Sequence, residues 1–227
     1  MKPDAVAVLI PVYNGAKYLA AAIDSVLAQS HAVHEILVID DGSTDASPLI
    51  AQGYAGLRCI VLPRNGGQAA ALNTGVAAST APWLAFLDSD DLWQPDKLER
   101  QFAAVQARPE LEAVCGYAEQ FGEEPHRPAA ERRLLPARLP SAMLLRRSAW
   151  ERVGAFRSDS PTFIVDWWAR ADALHLETQM LDTVCYRRRL HAGNLGRQQG
   201  MREAYLRLIA EKLERSRAKQ VSGGEKP

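Results

Sequence analysis

Trp83-Leu-Ala-Phe-Leu-Asp-Ser-Asp-Asp91 is the stretch whose reading decides the fold. Five apolar residues run straight into three carboxylates spread over four positions. A short unbroken apolar run suits a strand buried on both faces, as in a parallel sheet. Asp88, Asp90 and Asp91 would then sit on the rim of a rigid element. Two acids with a small serine between them can share a divalent cation and face a phosphorylated ligand, because Mg2+ and Mn2+ take carboxylate and phosphate oxygens. The local alternative is an acidic cap for the following helix.

The segments on either side bear on that choice. Val6-Ala-Val-Leu-Ile10 reads as a buried strand stopped by Pro11, with Tyr13-Asn14-Gly15 as a loop. Leu19, Ile23, Val26 and Leu27 then recur at helical spacing. Glu35-Ile-Leu-Val-Ile39 is a second strand and ends at Asp40-Asp41-Gly42-Ser43-Thr44-Asp45, where Ser43 or Thr44 would cap a short helix. Leu57 to Leu62 is a third strand. Asn65-Gly66-Gly67 turns the chain into a helix from Gln68 to about Ser79. After the opening strand, Pro95 suits the first position of a helix whose inner face carries Leu98, Phe102 and Val105. Strand and helix alternating four times predict an α/β fold with a Rossmann-like, mainly parallel sheet flanked by helices. Parallel strands end on one side. The Tyr13-Asn14 loop, the Asp40-Asp41 pair and the Asp88–Asp91 cluster therefore gather on one carboxyl edge, where open α/β sheets bind ligands. Five acids on one rim repel, and a cation or polyhydroxyl ligand would relieve them.

Beyond Arg108 the periodicity is less regular. Glu112 to Tyr117 reads as a strand, and Phe121 to Leu139 as an irregular insertion. Ser148 to Gly154 reads as a brief helix closed by Gly154. Phe163 to Leu176 reads as helical, Thr183 to Arg188 as a strand and His191-Ala-Gly-Asn194 as a polar turn. Met201, Tyr205, Leu208, Ile209 and Leu213 suggest a last amphipathic helix that could pack on this chain or on a second copy, ahead of a polar tail.

Composition narrows the function classes. The 227 residues are 47% hydrophobic and carry 27 basic against 27 acidic side chains, so nothing marks a nucleic-acid binder. No apolar run reaches the length of an integral membrane span, and no signal-peptide pattern opens the chain. Cys59, Cys115 and Cys185 form neither a disulfide framework nor a ligand cluster, and are expected to be buried free thiols in a reducing cytoplasm.

Several motifs together carry a resemblance. Pro11-Val-Tyr-Asn14, Tyr18-Leu19, Ser25-Val-Leu-Ala-Gln29, Asp40-Asp-Gly-Ser-Thr-Asp45, Asn65-Gly-Gly-Gln-Ala-Ala-Ala-Leu-Asn73 and Leu87-Asp-Ser-Asp-Asp91 resemble family 2 glycosyltransferases of the GT-A fold. Val153-Gly-Ala-Phe156, Asp166-Trp167-Trp168 and Arg189-Leu-His-Ala-Gly-Asn194 extend it more weakly. The resemblance implies non-processive transfer of a sugar, with inversion, from a nucleotide diphosphate donor of the UDP-sugar kind to an acceptor hydroxyl on a glycan, a lipid-linked sugar or another molecule. It also implies Mn2+ or Mg2+ as cofactor and a cytoplasmic enzyme, with room for peripheral contact at the inner membrane face.

By the same resemblance, residues 1–108 would bind the nucleotide sugar, residues 109–200 would form the acceptor side of the same domain, and residues 201–227 would be a C-terminal helix and tail. Asp90 would ligate the metal. Asp88 would take the ribose hydroxyls or help orient the metal, and His191 would approach it. Pro11, Tyr13, Asn14, Asp40, Asp41, Asn73, Ser89 and Arg189 would line the donor pocket, with Asp41 accepting from the base. Asp166 would be the catalytic base, its apolar neighbours raising its pKa toward the working range, although the family often has Glu-Asp where this chain has Val165-Asp166. Against these roles stand ordinary ones: Asp166 pairing with Arg170 along a helix, Asp40 in a turn contact, Trp93 and Trp168 as core rather than stacking platforms. The rival functions are a nucleotide-sugar-binding scaffold without catalysis and a sugar nucleotidyltransferase. The latter would show a Gly- and Arg-rich, lysine-ended loop where this chain has Pro11-Val-Tyr-Asn14.

Overall fold

The computed structural model describes residues 2–122, 134–160 and 162–194. Four strand–helix units come first. They are β1 (Val6–Val12) with α1 (Leu19–Leu27), β2 (Glu35–Asp40) with α2 (Ser47–Gln52), β3 (Arg58–Val61) with α3 (Gln68–Ala78), and β4 (Trp83–Phe86), which is followed by a two-residue strand β5 (Leu92–Trp93) and then α4 (Lys97–Ala107). The second half runs β6 (Ala113–Gly122), β7 (Leu134–Ala137), a 3-10 turn at Pro140–Ala142, β8 (Leu144–Arg146), α5 (Arg147–Val153), α6 (Phe163–Ala173) and β9 (Thr178–Leu190). All strands join one sheet in the order β3-β2-β1-β4-β8-β6-β9-β5, with β7 on the side of β6.

The first four strands are parallel, as expected. From β8 onward the sheet is mixed: β8 is antiparallel to both β4 and β6, β5 is antiparallel to β9, and only β6 and β9 run together. Burial of both sheet faces explains why these segments read as solid apolar runs. All seven residues of β1 and all four of β4 are buried. Alternate residues divide between two cores. Ala7, Leu9, Leu37, Ile39, Leu84 and Phe86 meet α3, α5 and α6 through Leu72, Trp150, Phe163 and Trp167. Val8, Ile10, Val38 and Ala85 meet α1 and α4 through Leu19, Ile23, Leu98 and Phe102. Each such large side chain contributes about 1.5–3 kcal/mol on burial. Gly75 sets how closely α3 approaches: a Cβ there would lie 2.7 Å from Ile39 Cδ1 and 3.1 Å from Leu9 Cδ2.

Several local expectations are corrected. Pro11 does not stop β1; it lies inside it, opposite Ile39. Pairing with β4 ends at Leu9 opposite Phe86, so the N–H that proline lacks is not required there. Helix α4 begins at Lys97 with Asp96 at its N-cap, after Pro95 rather than on it. Neither Ser43 nor Thr44 caps α2, whose N-cap is Ala46. The insertion expected from Phe121 to Leu139 is partly strand, since β6 runs to Gly122 and β7 pairs back on it. Strand β9 is longer than the 183–188 expected from sequence. Trp93 and Trp168, by contrast, are core residues as expected, 4% and 5% exposed, and their indole N–H groups donate to the carbonyls of Ser141 and Arg138. Cys115 and Cys185 are buried free thiols and Cys59 is half-buried. The amphipathic helix expected beyond residue 200 lies outside the described residues, among which no helix is long and apolar enough to cross a membrane.

Candidate active site

The acidic cluster is made by the way β4 ends. Leu87 N still donates to Leu9 O, continuing the parallel ladder one step past the strand. Asp88 N then donates to Ser141 Oγ (3.0 Å), and Asp91 N turns back onto Asp88 O (3.0 Å). This tight turn points Asp88, Asp90 and Asp91 at one another, with an oxygen of each within 4.8 Å of the others.

Each carboxylate is braced from a different part of the chain. Gln68 Nε2, at the start of α3, donates to Asp88 Oδ1 at 2.6 Å. Asp91 Oδ1 accepts from Arg189 N (2.9 Å), and Asp91 Oδ2 from Ser141 Oγ (3.4 Å). Asp90 Oδ2 meets His191 Nε2 at 2.9 Å and accepts from Asn194 Nδ2 at 3.1 Å, while Arg189 Nε donates to Asp90 O. The Tyr18 ring lies 4.9 Å from His191, and the Arg189 guanidinium is sandwiched between Tyr18 and Phe121.

Packing like charges together has an electrostatic cost. Burial, then the Asp90 charge, pushes the Asp88 carboxyl up to about 7; Arg188, Gln68 and Ser141 pull the other way. Burial, followed by the charges of Asp88 and Asp90, raises Asp91 well above the usual carboxylate range, with the Arg189 N–H and the Arg188 charge opposing. Three hard oxygen donors crowded into one turn, at least one of them holding its proton near neutrality, fit a divalent cation. The residues present therefore suit Mn2+ or Mg2+.

The other sequence-predicted residues fall into two groups. The loop after β1 and the loop after β2 interlock: Asn14 N, Gly15 N and Ala16 N donate to Ser43 Oγ, Ser47 Oγ and Asp45 Oδ2, and Thr44 N returns a bond to Asn14 Oδ1. Asn14 takes a left-handed φ of 50° at this crossing. Ser89 touches the same loop, since a Cβ on Gly15 would sit 3.1 Å from Ser89 Oγ. Pro11 is buried within β1, while Tyr13 is 51% exposed. Asp40 Oδ2 accepts from Ser43 N, but its buried Oδ1 has no partner among the described residues. Thus the loops carrying Asn14 and Ser89 do meet.

The second group is occupied within the fold. Asp41 Oδ1 and Oδ2 accept from Gly66 N (2.9 Å) and Gly67 N (2.8 Å), fixing the turn into α3, where Gly67 has φ 86°. Asn73 exchanges two bonds with the Phe156 backbone, Nδ2 to O at 2.8 Å and Oδ1 from N at 3.0 Å, and so ties α3 to the chain beyond α5. Asp166, in the first turn of α6, pairs through Oδ2 with Arg170 Nε at 3.0 Å. Arg170 is itself anchored on Val153 O and Ala155 O. No hydrogen bond joins Asp166 to the acidic cluster among the described residues. Gln68, Ser141 and Asn194 are site residues that the sequence alone does not single out. Gln68 and Asn194 lie inside quoted motifs, so their positions were visible and their partners were not.

A parallel α/β half delivering an Asp-Ser-Asp-Asp turn onto a mixed sheet is the GT-A architecture of glycosyltransferases. Two solved structures share the fold: S. aureus TarS in complex with UDP-GlcNAc (TM-score 0.69, 20% identity, 91% of this chain and 65% of that one) and the mannosyltransferase PcManGT from Pyrobaculum calidifontis in complex with GDP-Man and Mn2+ (TM-score 0.67, 20% identity, 98% and 65%). The glycosyl transferase family 2 model matches residues 7–162, and the chain belongs to that family. An uncharacterized glycosyltransferase of Rickettsia typhi is 40% identical over 114 residues, which is 49% of this chain and 36% of that protein. A putative teichuronic acid biosynthesis glycosyltransferase of Bacillus subtilis, TuaG, is 37% identical over 117 residues, or 50% and 46%. The chain thus spans well under two thirds of the length of these relatives.

Proposed function

We propose that this chain transfers a sugar, with inversion, from a nucleoside diphosphate donor of the uridine class to an acceptor hydroxyl, with Mn2+ or Mg2+ held by Asp88 and Asp90. The observation that carries the reading is the Asp88, Asp90 and Asp91 triad, set at the carboxyl end of β4 beside the Asn14 loop. The cation supplies Lewis-acid neutralisation of charge growing on the departing diphosphate. The chain supplies the rest. Exposed Tyr13 offers a ring face for the base.

Arg189 is held between two rings and on Asp90 O, so phosphate oxygens fall instead to Arg188, whose charge already acts on Asp88 and Asp91. Inversion by single displacement needs a base on the acceptor side. Asp166 fills that role, with Arg170 orienting Oδ2 and Oδ1 taking the acceptor proton. The acceptor is a glycan, a lipid-linked sugar or another hydroxyl compound.

The test is a thermal-shift panel of UDP-, dTDP- and GDP-sugars with Mn2+ or with EDTA. A donor at a hundred times its Kd adds about 2.7 kcal/mol, roughly 5–10 °C for a chain of this size. The shift should require Mn2+ and vanish in Asp90→Asn. Equal shifts with and without Mn2+, or in Asp90→Asn, would overturn the metal assignment. Donor binding without nucleotide release when acceptors are supplied would leave a binding scaffold.

A further inference from the structure

We infer that Asn194 is a positioning residue for the metal site, acting through Asp90 and His191. The inference rests on the proposed metal role of Asp90. Asn194 is 7% exposed and each of its amide atoms is engaged. Nδ2 donates to Asp90 Oδ2 (3.1 Å) and to Arg189 O (3.0 Å), and Oδ1 accepts from His191 N (2.6 Å). One side chain therefore closes the Leu190–Asn194 turn onto the end of β9 and pins that turn to the acidic cluster, 104 residues away in sequence.

The imidazole completes the brace. Gly193 N donates to His191 Nδ1 at 3.2 Å, which assigns the proton to Nε2, so that Nε2–H donates to Asp90 Oδ2 at 2.9 Å. Two donors thus converge on Oδ2 and rotate the Asp90 carboxylate so that Oδ1 is the oxygen free to ligate. Asn194 sets both donors: its own amide directly, and the His191 ring by fixing the backbone that carries it. No other polar group in the described structure connects Asp90, Arg189 and His191 at once. An aspartate at 194 would bring a second carboxylate against Oδ2, and a leucine would leave the His191 N–H and Arg189 O without their partner.

Groups that orient a ligating side chain are worth roughly 10- to 100-fold in metal affinity. The experiment is a Mn2+ titration followed by the EPR signal of the free ion, on the full chain, for the native protein, Asn194→Ala and Asn194→Ser. Metal-free melting is recorded for each, along with uridine binding in EDTA. Serine keeps an acceptor for the His191 N–H but cannot reach Asp90, so Asn194→Ser separates the brace from turn closure. Both variants should bind Mn2+ 10- to 100-fold more weakly. Uridine affinity in EDTA should be unchanged in both, and the metal-free midpoint of Asn194→Ser should stay near native. Native-like Mn2+ affinity in both variants overturns the inference, as does a loss seen only where the metal-free midpoint also collapses. A native chain that binds no Mn2+ refutes the metal reading itself, a result distinct from either.

Discussion

Replacing Asp88 with asparagine should make the metal-free protein more stable at alkaline pH, even though the residue belongs to the proposed donor site. Burial and the neighbouring Asp90 charge raise its carboxyl to about 7 from 3.8. The folded chain therefore keeps a proton that the unfolded chain has released. Folding takes up that proton between about pH 4 and pH 7, so this group's contribution falls as pH rises through the window and stays low above it. Three pKa units at 1.36 kcal/mol each cap the penalty at about 4 kcal/mol. Water at the partly exposed carboxyl and charge sharing with Asp91 reduce it to about 2 kcal/mol, or roughly 4–8 °C in midpoint. Asparagine keeps Oδ1 as the acceptor for Gln68, so no partner is orphaned. Thermal melts in EDTA at pH 4 and pH 8 read the effect. Asp88→Asn should melt above native at pH 8 and alongside it at pH 4. Mn2+ at pH 8 should reverse the order, because the cation favours the ionised carboxylate. A variant that melts below native at pH 8 in EDTA, or a gap that persists at pH 4, would refute the electrostatic account.

Two further substitutions probe the proposed chemistry. Asp166→Asn should bind a nucleotide sugar with native affinity and lower transfer by roughly 10²–10⁴-fold, measured as nucleotide release with acceptor present; native turnover would place the base elsewhere. Arg188→Ala should weaken UDP binding about tenfold by calorimetry and leave uridine binding unaltered, since only the phosphates lose a partner; equal losses for both ligands would remove Arg188 from the phosphate site.

The first half was legible because β1, β2 and β4 are buried almost throughout and the helices bury one face. Val6–Val12 and Trp83–Phe86 announce themselves as solid apolar runs, and Leu19, Ile23 and Val26 as a helical stripe. Beyond Arg108 the signal thins for a physical reason. The far end of β6 carries Glu119 and Gln120, and β9 carries Arg187, Arg188 and Arg189, with a register shift between the two strands near Cys115 and Tyr117. Neither strand alternates cleanly, so their pairing could not be read from period. At the site, residue type and position were visible for Asp88 and Asp90, but not what each would touch. Asp41 reads as a ligand-binding acid and serves the Gly66–Gly67 turn; Asp91 reads as a cap and completes a triad.

That triad is held by parts of the chain that meet only in the finished fold. Its braces come from the start of α3, the turn before β8, the end of β9 and the turn beyond it, and the nearest in sequence, Gln68, is 20 residues from its partner. A turn with three converging carboxylates is unfavourable by itself, because each added charge raises the cost of ionising the next. It persists here because β1 and β8 clamp β4 from both sides and fix the strand from which the turn springs. The stability of those strands therefore covers the strain, and a divalent cation would return part of it on binding. By the same arrangement, the proposed metal binding should be coupled to the ordering of the chain's second half. The acids belong to the first half, but the groups that aim Asp90 and Asp91 arrive with β9 and the turn after it. A weaker β6–β9 pairing would thus lower metal affinity without touching a single carboxylate.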